Sequence, residues 1–450
     1  MNTPKQKIVV LGGGIAALST VYSLTSRADW RERYEITVYQ LGHRLGGKGA
    51  SGRNRQLADR IEEHGIHVFF GFYDNAFRIL KQCYEELDRP LDAPLARVTD
   101  AFKGNPRISF VEKHDGEWSV WHWEFPLNTA RLGEGGPIPT PWGYVEVLLE
   151  SMVEWYDQVM KDTPAELAAH LSERLPHKRD FLPGLIDRLW RSTRPNLLEA
   201  LRDVIGKLQS ATDDVLGEPD RQRRSDRAAL ARLTRRTQIV REAACGLGRH
   251  LDHLPSVRRA LILLDFAATT ILGLVRDELV YPPEDWRKID GIDLRRWLVK
   301  HGAAETTAHC ALIDGMYAGI FSTEHEVGAG TMLQYTLRML FTYRGAIYHK
   351  MQAGMGDVVF APLYQVLARR GVRFEFFHRV DRLELDPDRR QIARLHIGRQ
   401  IGVAAGSYEP LYDVKGLPCW PSEPLYDQLV GGEELARSGE SLEDGWTAVT

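Results

Sequence analysis

The chain has 450 residues, of which 43% are hydrophobic and 26% are charged, and its formal net charge at pH 7 is -3. This length predicts two or three domains with a large buried core, and the composition is that of a globular protein. The slightly negative charge argues against a nucleic-acid-binding protein that works by neutralising phosphates. The four cysteines (Cys83, Cys245, Cys310 and Cys419) lie far apart without a C-x-x-C pair. This spacing favours reduced thiols in a cytoplasmic protein over a disulfide framework or a metal site.

Two apolar stretches bear on targeting and on membrane contact. Ile8–Leu11 runs directly into glycines with no charged leader before it, so we expect no secretory signal peptide. Ala260–Val275 is interrupted by Asp265 and is too short for a transmembrane helix. It is typical of a buried helix, with a face that contacts lipid or takes up a lipophilic substrate as the alternative. We therefore expect no transmembrane segment and leave peripheral membrane contact open.

The N-terminal segment has the order strand, glycine turn, helix, strand. Lys7–Leu11 is a short run rich in β-branched residues, as is typical of a buried parallel strand. Ile15–Ser26 has apolar residues at helical spacing, and Glu35–Tyr39 is again a strand-like run. Together these elements predict one βαβ unit.

The glycine turn fits the pattern G-x-G-x-x-A through Gly12, Gly14 and Ala17. Gly12 permits a tight turn, Gly14 lets a pyrophosphate approach the backbone, and Ala17 lets the helix pack closely on the strand. The predicted helix begins at Ile15. The free N–H groups of Ile15 and Ala16, together with the helix dipole, favour the binding of a phosphate there. A glycine-rich turn without a ligand is the alternative. The position between a strand and a helix favours a dinucleotide site.

Gln40 stands at the end of the second strand, where an acidic residue usually binds the ribose hydroxyls. A glutamine amide can still accept one hydrogen bond and donate another. It lacks the charge that strengthens such a contact, so we expect weaker or shared binding of the ribose.

The next residues distinguish FAD from NAD. Leu41-Gly42-His43-Arg44-Leu45-Gly46-Gly47-Lys48 resembles the E-A-x-x-R-x-G-G-R/K extension of the flavin amine oxidase and phytoene desaturase superfamily. Gln40 and Leu41 stand in place of its Glu and Ala. The resemblance implies FAD, with Arg44, Gly46, Gly47 and the adjacent Lys48 close to the pyrophosphate and the ribityl chain. A fixed arginine charge and two glycines, whose backbone has no side chain in the way, suit the anionic pyrophosphate.

A second segment, Ile61–Tyr73, is similar to a G-x-H…G-Y segment of the same superfamily. The resemblance implies that Gly65, Ile66 and His67 pass beside the isoalloxazine and lead into a helix over Asp74–Leu87. His67 could transfer a proton, but a role in orienting the cofactor or in packing is the stronger interpretation.

The sequence pattern in the middle of the chain predicts a hairpin followed by helices. Asp115-Gly116 between two alternating runs is a hairpin signal. The Trp-rich second run either lines an apolar pocket or packs as a sheet face, and we favour sheet packing. From Val145 to about Val280 the pattern is mostly helical, and Asp290–Leu298 resembles the start of another cap helix. An arginine cluster at 221–227 is typical of a solvated loop rather than of a nucleic-acid surface.

The chain then returns to the cofactor domain. Val358–Arg370 predicts a helix and Gly371–Phe377 a strand. The following residues resemble the segment in which a valine backbone holds the adenine ring, and Val380 is the matching position. The superfamily's C-terminal flavin clasp has no match after Gln400, so the chain is either a truncated form or has a replacement for the clasp.

These features predict an α/β protein: a discontinuous Rossmann-like FAD-binding domain (1–105 and 346–450) and a mainly helical substrate domain with an antiparallel β element (106–345). The expected function is an FAD-dependent oxidoreductase that takes hydride from an amine or a lipophilic polyene. A flavin-dependent isomerase and a nucleotide-binding protein without catalysis are the alternatives. The extension around Arg44 disfavours an NAD dehydrogenase. We assign no acid or base and no metal, and the partner is a small molecule rather than nucleic acid.

Overall fold

The computed structural model divides into two compact units, which are described separately. Its described residues are 5–114, 116–162, 227–251, 255–320, 322 and 327–444. The first unit consists of residues 1–106, 125–136 and 343–450, and the second of 107–124 and 137–342. Residues 125–136, which the sequence placed in the middle domain, group with the first unit. The arginine cluster predicted as a solvated loop lies outside the residues whose side chains are described.

The described residues form strands and α-helices. The strands are β1 (Gln6–Leu11), β2 (Tyr34–Tyr39), β3 (Ser51–Asn54), β4 (Arg60–Glu63), β5 (Phe69–Phe70), β6 (Phe102–Asn105), β7 (Arg107–His114), β8 (Glu117–Glu124), β9 (Tyr348–Met351), β10 (Arg373–Glu375), β11 (His378–Leu385), β12 (Ile392–Arg399), β13 (Tyr412–Val414) and β14 (Leu417–Cys419). The α-helices are α1 (Ile15–Thr25), α2 (Trp30–Arg33), α3 (Asp74–Leu87), α4 (Val98–Ala101), α5 (Pro141–Asp162), α6 (Arg227–Leu251), α7 (Pro255–Arg276), α8 (Leu294–His301), α9 (Glu305–Ala308), α10 (Ala311–Gly319), α11 (Ala329–Phe341), α12 (Ala361–Arg369) and α13 (Gly432–Ser438).

The first unit contains a parallel sheet in the order β1–β2–β10. Ile8 of β1 pairs with Ile36 of β2. Val38 pairs with Val10 on one side and with Phe374 of β10 on the other. Helix α1 and the short α2 connect β1 to β2, which is the crossover that parallel strands require. The predicted βαβ unit is therefore present.

Strand β1 is more exposed than its sequence predicted. Val9 is 42% exposed and Leu11 is 39% exposed. The prediction of a buried strand was wrong because β1 lies at the edge of its sheet. Among the described residues, β2 is the one strand that pairs with it.

Helices α3 and α12 complete the core around this sheet. Helix α12 packs against both α1 and α3, and α3 has the bounds that the sequence predicted. A π-helical turn, Gly356–Phe360, precedes α12, so the predicted helix begins earlier and with wider winding than expected. The Tyr84 hydroxyl of α3 donates to the Val358 carbonyl in this turn at 3.0 Å. This bond occupies a carbonyl in the wider turn.

The C-terminal residues are part of the first unit. Trp420 is fully buried, and its ring lies 5.5 Å from that of Tyr364 and 6.2 Å from that of Phe376. The Arg53 N–H donates to the Trp420 carbonyl at 2.8 Å, and the Ser422 N–H donates to the Arg53 carbonyl at 2.9 Å. These contacts attach the segment after β14 to the edge of β3.

The second unit contains the predicted antiparallel hairpin. Strands β7 and β8 pair from Arg107–Glu124 to His114–Glu117, while Asp115 of the turn lies outside the described residues. Trp121 is buried and the Arg259 guanidinium lies 5.5 Å from its ring centre. This contact agrees with the packing interpretation of the Trp-rich strand.

Helices make up the rest of the described second unit. Helix α7 contains the apolar run from 260 to 275 and is buried along nearly all of its length, as expected for an internal helix. Asp293 caps α8, because its side chain accepts from the Arg295 N–H at 2.9 Å. Each helix that the structure describes is too short or too polar to cross a membrane.

Candidate cofactor site

The glycine turn after β1 is open where a ligand would approach. The Gly12 N–H donates to the Tyr39 carbonyl at 2.8 Å, and its φ of +85° favours glycine. A Cβ added at Gly12 or at Gly14 would meet no atom within 4 Å. The sequence leaves this space free of side chains, as a phosphate-binding turn requires.

Helix α1 directs its N-terminus into this turn. Gly14 is its N-cap and no side chain caps it. The first hydrogen bond of the helix is from the Leu18 N–H to the Gly14 carbonyl, at 3.0 Å. The N–H groups of Ile15, Ala16 and Ala17 precede that bond, so they have no partner within the helix. They form a donor group suited to an anion.

The paired glycines lie directly against this turn. The Gly46 N–H donates to the Gly13 carbonyl at 2.9 Å, and Gly46 forms a parallel bridge with Gly14. A Cβ added at Gly47 would lie 3.5 Å from the Gly14 Cα. Gly46 and Gly47 both have positive φ angles, +126° and +56°. The two glycine motifs therefore form one continuous backbone surface, and Lys48 follows on the exposed side.

Gln40 faces the glycine turn rather than open space. Its side-chain oxygen accepts from the Gly13 N–H at 2.7 Å, and its amide nitrogen donates to the Leu41 carbonyl at 2.6 Å. Each amide atom is thus already used once, which leaves one acceptor position and one donor position for a ribose.

Arg44 is engaged by a residue near the end of the described chain. Its Nε and Nη2 atoms donate to the two carboxylate oxygens of Glu443, each at 2.6 Å. Arg44 is buried, and the pair has the bidentate geometry that an arginine also uses for phosphate. The carboxylate of Glu443 therefore stands where an anionic ligand of Arg44 would bind.

The segment that carries Glu443 is held by a second long-range contact. The Gly42 N–H donates to the Gln400 side-chain oxygen at 2.9 Å, and the Gln400 amide nitrogen donates to the Leu442 carbonyl at 2.8 Å. Sequence reasoning missed Gln400 and Glu443. Their sequence separations from Gly42 and Arg44 are 358 and 399 residues, and no local pattern marks either residue.

His43 is buried between the two sides of this contact. Its Nε2 lies 3.1 Å from the Pro421 carbonyl and its Nδ1 lies 3.8 Å from Glu443. Burial lowers the pKa of His43 to about 4, although the nearby carboxylate opposes the change. The imidazole is therefore neutral at pH 7, with Nε2 donating its proton to the carbonyl.

A cavity of about 310 Å³ lies beside Arg44 in the first unit. Its lining is rich in carboxylates: Glu62, Glu63, Glu423, Glu440 and Glu443. So many negative charges disfavour a pyrophosphate inside this cavity. The glycine turn is the better anion position.

The segment from 65 to 67 is partly exposed. Ile66 is 74% exposed and Gly65 is also exposed. The His67 Nδ1 lies 2.8 Å from a Glu63 carboxylate oxygen, and the other oxygen of Glu63 accepts from the Met355 N–H at 2.6 Å. The Glu63 carboxylate therefore fixes the orientation of the His67 ring.

Val380 follows a short segment that contacts the residues after β2. The His378 N–H donates to the Gln40 carbonyl at 2.9 Å, and the Phe377 N–H donates to the Gly42 carbonyl at 3.0 Å. Val380 follows two residues later in β11, at a position where the pairing with β12 shifts register. The chain thus contacts the residue after β2 two positions before Val380. Among the described residues, acidic, histidine and cysteine side chains form no group that could hold a metal ion.

Comparison with known proteins supports the N-terminal assignment. Residues 10–83 match the NAD(P)-binding Rossmann-like domain. Over 79 residues the chain is 38% identical to zeta-carotene desaturase of Solanum lycopersicum and, again over 79 residues, 38% identical to that of Zea mays. Over 76 residues it is 37% identical to the carotenoid phi-ring synthase of Chlorobaculum tepidum.

These matches cover 18%, 18% and 17% of this chain, and 12%, 13% and 11% of the length of those relatives. The motifs from Gly12 to Tyr73 that resemble the phytoene desaturase superfamily lie within the residues that match the Rossmann-like domain. That resemblance is confirmed: residues 10–83 match the NAD(P)-binding Rossmann-like domain, and the chain has homology to zeta-carotene desaturases and to a carotenoid phi-ring synthase, which are phytoene desaturase-like enzymes.

Proposed function

We propose that the chain binds FAD at the glycine turn and acts as an oxidoreductase on a lipophilic polyene. The observation that carries this proposal is the open space beside Gly12 and Gly14, backed by the N-terminus of α1 and by the Gly46–Gly47 backbone. A bare turn of this kind suits a pyrophosphate, because backbone N–H groups can reach it without steric hindrance.

The residues around the turn fit the other parts of the cofactor. In this proposal the free amide positions of Gln40 bind the adenosine ribose. The backbone of Val380, next to the contact between His378 and Gln40, reads the adenine edge. The segment from Gly65 to His67 lies toward the flavin ring. Arg44 and Lys48 contribute positive charge near the pyrophosphate.

The relatives named for carotenoid desaturation favour a polyene over an amine as the substrate. Bound flavin would accept the hydride, while the protein holds the reacting carbon in line and excludes water. As the double bond forms, the neighbouring carbon also loses a proton, which would pass to solvent because no side chain is assigned as its acceptor. The four cysteines are free thiols, which supports a reducing, cytoplasmic location as part of the proposal. Peripheral contact with a membrane, where a polyene resides, is also part of it.

One observation favours a second candidate, a nucleotide-binding protein without redox catalysis. Glu443 already satisfies Arg44 with two hydrogen bonds, so the cation that would hold the flavin side of the cofactor is engaged. A flavin-dependent isomerase is the third candidate, and it differs from the first only in returning the electrons to the substrate.

Spectroscopy separates these candidates. We expect the purified chain to show flavin absorbance, and anaerobic addition of ζ-carotene to bleach it, whereas dibenzylamine has no effect. Bleaching by the amine alone would shift the substrate class to amines. Turnover of the polyene without any lasting change in flavin absorbance would support the isomerase. A chain that binds ADP but never flavin would support the second candidate, the nucleotide-binding protein without redox catalysis.

A further inference from the structure

A cavity in the second unit has the features of a ligand site. It has a volume of about 430 Å³ and lies between α6, α7 and the start of α9. Ala244 of α6 and Leu261 and Ile262 of α7 contribute apolar walls. This volume is in the range of small-molecule sites.

Two carboxylates, Asp265 and Glu305, line this cavity. Glu305 is exposed to solvent, and the buried Asp265 is already saturated with hydrogen bonds. Asp265 is buried and accepts from the Ala304 N–H at 2.9 Å and from the Cys245 thiol at 3.1 Å. The hydroxyl of Thr307 also donates to it. Burial raises the pKa of Asp265, which works against its negative charge. Asp265 therefore holds the start of α9 in place and is poorly suited to neutralise a cation.

Arg241 is the unusual member of the lining. Its Nη1 donates to the Gly302 carbonyl, while its Nε is buried and has no hydrogen-bond partner among the described residues. Within the described part of the chain, no carboxylate forms an ion pair with its guanidinium, although the charge of Arg241 acts on nearby Asp265 without direct contact. An arginine keeps its charge at any physiological pH. A half-buried cation with an unused donor beside apolar walls is costly unless an anion joins it.

We propose that this cavity binds an amphiphile that carries a carboxylate on a long hydrocarbon chain. The carboxylate accepts from the Arg241 Nε, and the chain lies along Ala244, Leu261 and Ile262. Charge complementarity selects an anionic head group, and the apolar walls select a hydrocarbon tail. This site is separate from the cofactor proposal, since all of its residues belong to the second unit.

The first test measures binding of dodecanoate and dodecanol to the full chain by calorimetry. We expect dodecanoate to bind more tightly than dodecanol. Arg241→Gln should weaken dodecanoate by about tenfold, the effect of losing one charge-assisted hydrogen bond, and leave dodecanol unchanged. Arg232→Gln, which removes an exposed arginine from the same helix, is the matched control and should bind like the wild type.

A second variant tests the tail pocket without disturbing the fold. Gly248 borders the cavity, and a Cβ there would meet no atom within 4 Å. Gly248→Leu should fill the space, favour α6 and weaken both ligands. The proposal is overturned if the folded wild type does not bind dodecanoate, if dodecanol binds as tightly, or if either Arg241→Gln or Gly248→Leu binds dodecanoate like the wild type.

Discussion

At the scale of single residues, Gln40 changes how the end of β2 can bind a ribose. Its side chain accepts from the Gly13 N–H, so it stabilises the glycine turn itself. A carboxylate at this position would bind ribose hydroxyls with a charge, whereas the amide offers neutral hydrogen bonds. The cofactor site therefore depends more on the backbone of the turn than on this side chain.

Glu443 and a phosphate compete for Arg44 if the pyrophosphate lies beside that arginine. Glu443→Gln removes the charge and one of the two strong acceptors, so we expect ADP to bind roughly threefold to tenfold more tightly. Fluorescence-monitored titration with ADP measures the change. Glu440→Gln alters another carboxylate of the same cavity lining and should bind ADP like the wild type. Unchanged or weaker ADP binding by a folded Glu443→Gln variant would remove Arg44 from the anion site.

His43 makes the protein less stable in mild acid. Its pKa is about 4 in the folded chain, against 6.5 for an ordinary histidine, because burial disfavours the charged ring. The neutral ring contributes its full stability above pH 6.5, and that contribution is lost as the pH falls toward about 4. The loss is on the order of 3 kcal/mol.

His43→Gln removes that titration. The decrease in the free energy of unfolding between about pH 7 and about pH 4.5 should be smaller in this variant by roughly 2 kcal/mol, measured by urea unfolding at each pH. His122→Gln, at an exposed position of β8, serves as the control and should keep the wild-type pH dependence. Equal pH dependence in His43→Gln and wild type would show that His43 does not titrate as its burial implies.

Sequence identified the local residues of the site and missed the distant ones. Gly12, Gly14, Gly46 and Gly47 were predictable because a turn, a strand end and a helix start all lie within one short segment. The partner of Arg44 was not predictable, because Glu443 meets it only after the rest of the first unit has folded. The spacing of residues within a short motif predicts a local site, whereas an ion pair between residues 399 positions apart depends on the tertiary fold.

At the scale of elements, prediction was most accurate where the hydrophobic period was clear. Helix α3 begins and ends as predicted, since its apolar positions recur at helical spacing. The strand predicted over 371–377 is shorter, because only Arg373–Glu375 pair with β2 and Phe377 turns away with a φ of +64°. Pairing partners, which a single sequence does not reveal, decide such strand ends.

The segment after β14 should be essential to the first unit. Trp420 is fully buried against aromatic rings, so we expect Trp420→Ala to lower the free energy of unfolding by about 3–5 kcal/mol. Trp118→Ala changes a tryptophan that is 69% exposed on β8, and its effect should stay within about 0.5 kcal/mol. Urea unfolding followed by circular dichroism measures both. Equal effects of the two substitutions would contradict the placement of this segment in the core.

At the scale of the whole molecule, sequence motifs predicted more of the first unit than of the helical second unit. The βαβ unit and the antiparallel hairpin were predictable, and the match to the Rossmann-like domain falls on residues 10–83. The substrate role of the helical second unit remains a prediction, because its helices carry packing patterns rather than motifs. Which faces of these helices are exposed or buried depends on tertiary contacts, such as those of α7 with α6 and α5.

The most direct test of the account is FAD binding by wild type and Gly14→Val. A valine at Gly14 projects into open space, so the fold should persist while the pyrophosphate position is blocked. Gly291→Val, where a Cβ also meets no atom within 4 Å, is the control in the second unit. The account predicts that wild type and Gly291→Val bind FAD and that Gly14→Val binds it about a hundredfold more weakly or not at all. FAD bound equally well by a folded Gly14→Val protein would contradict it.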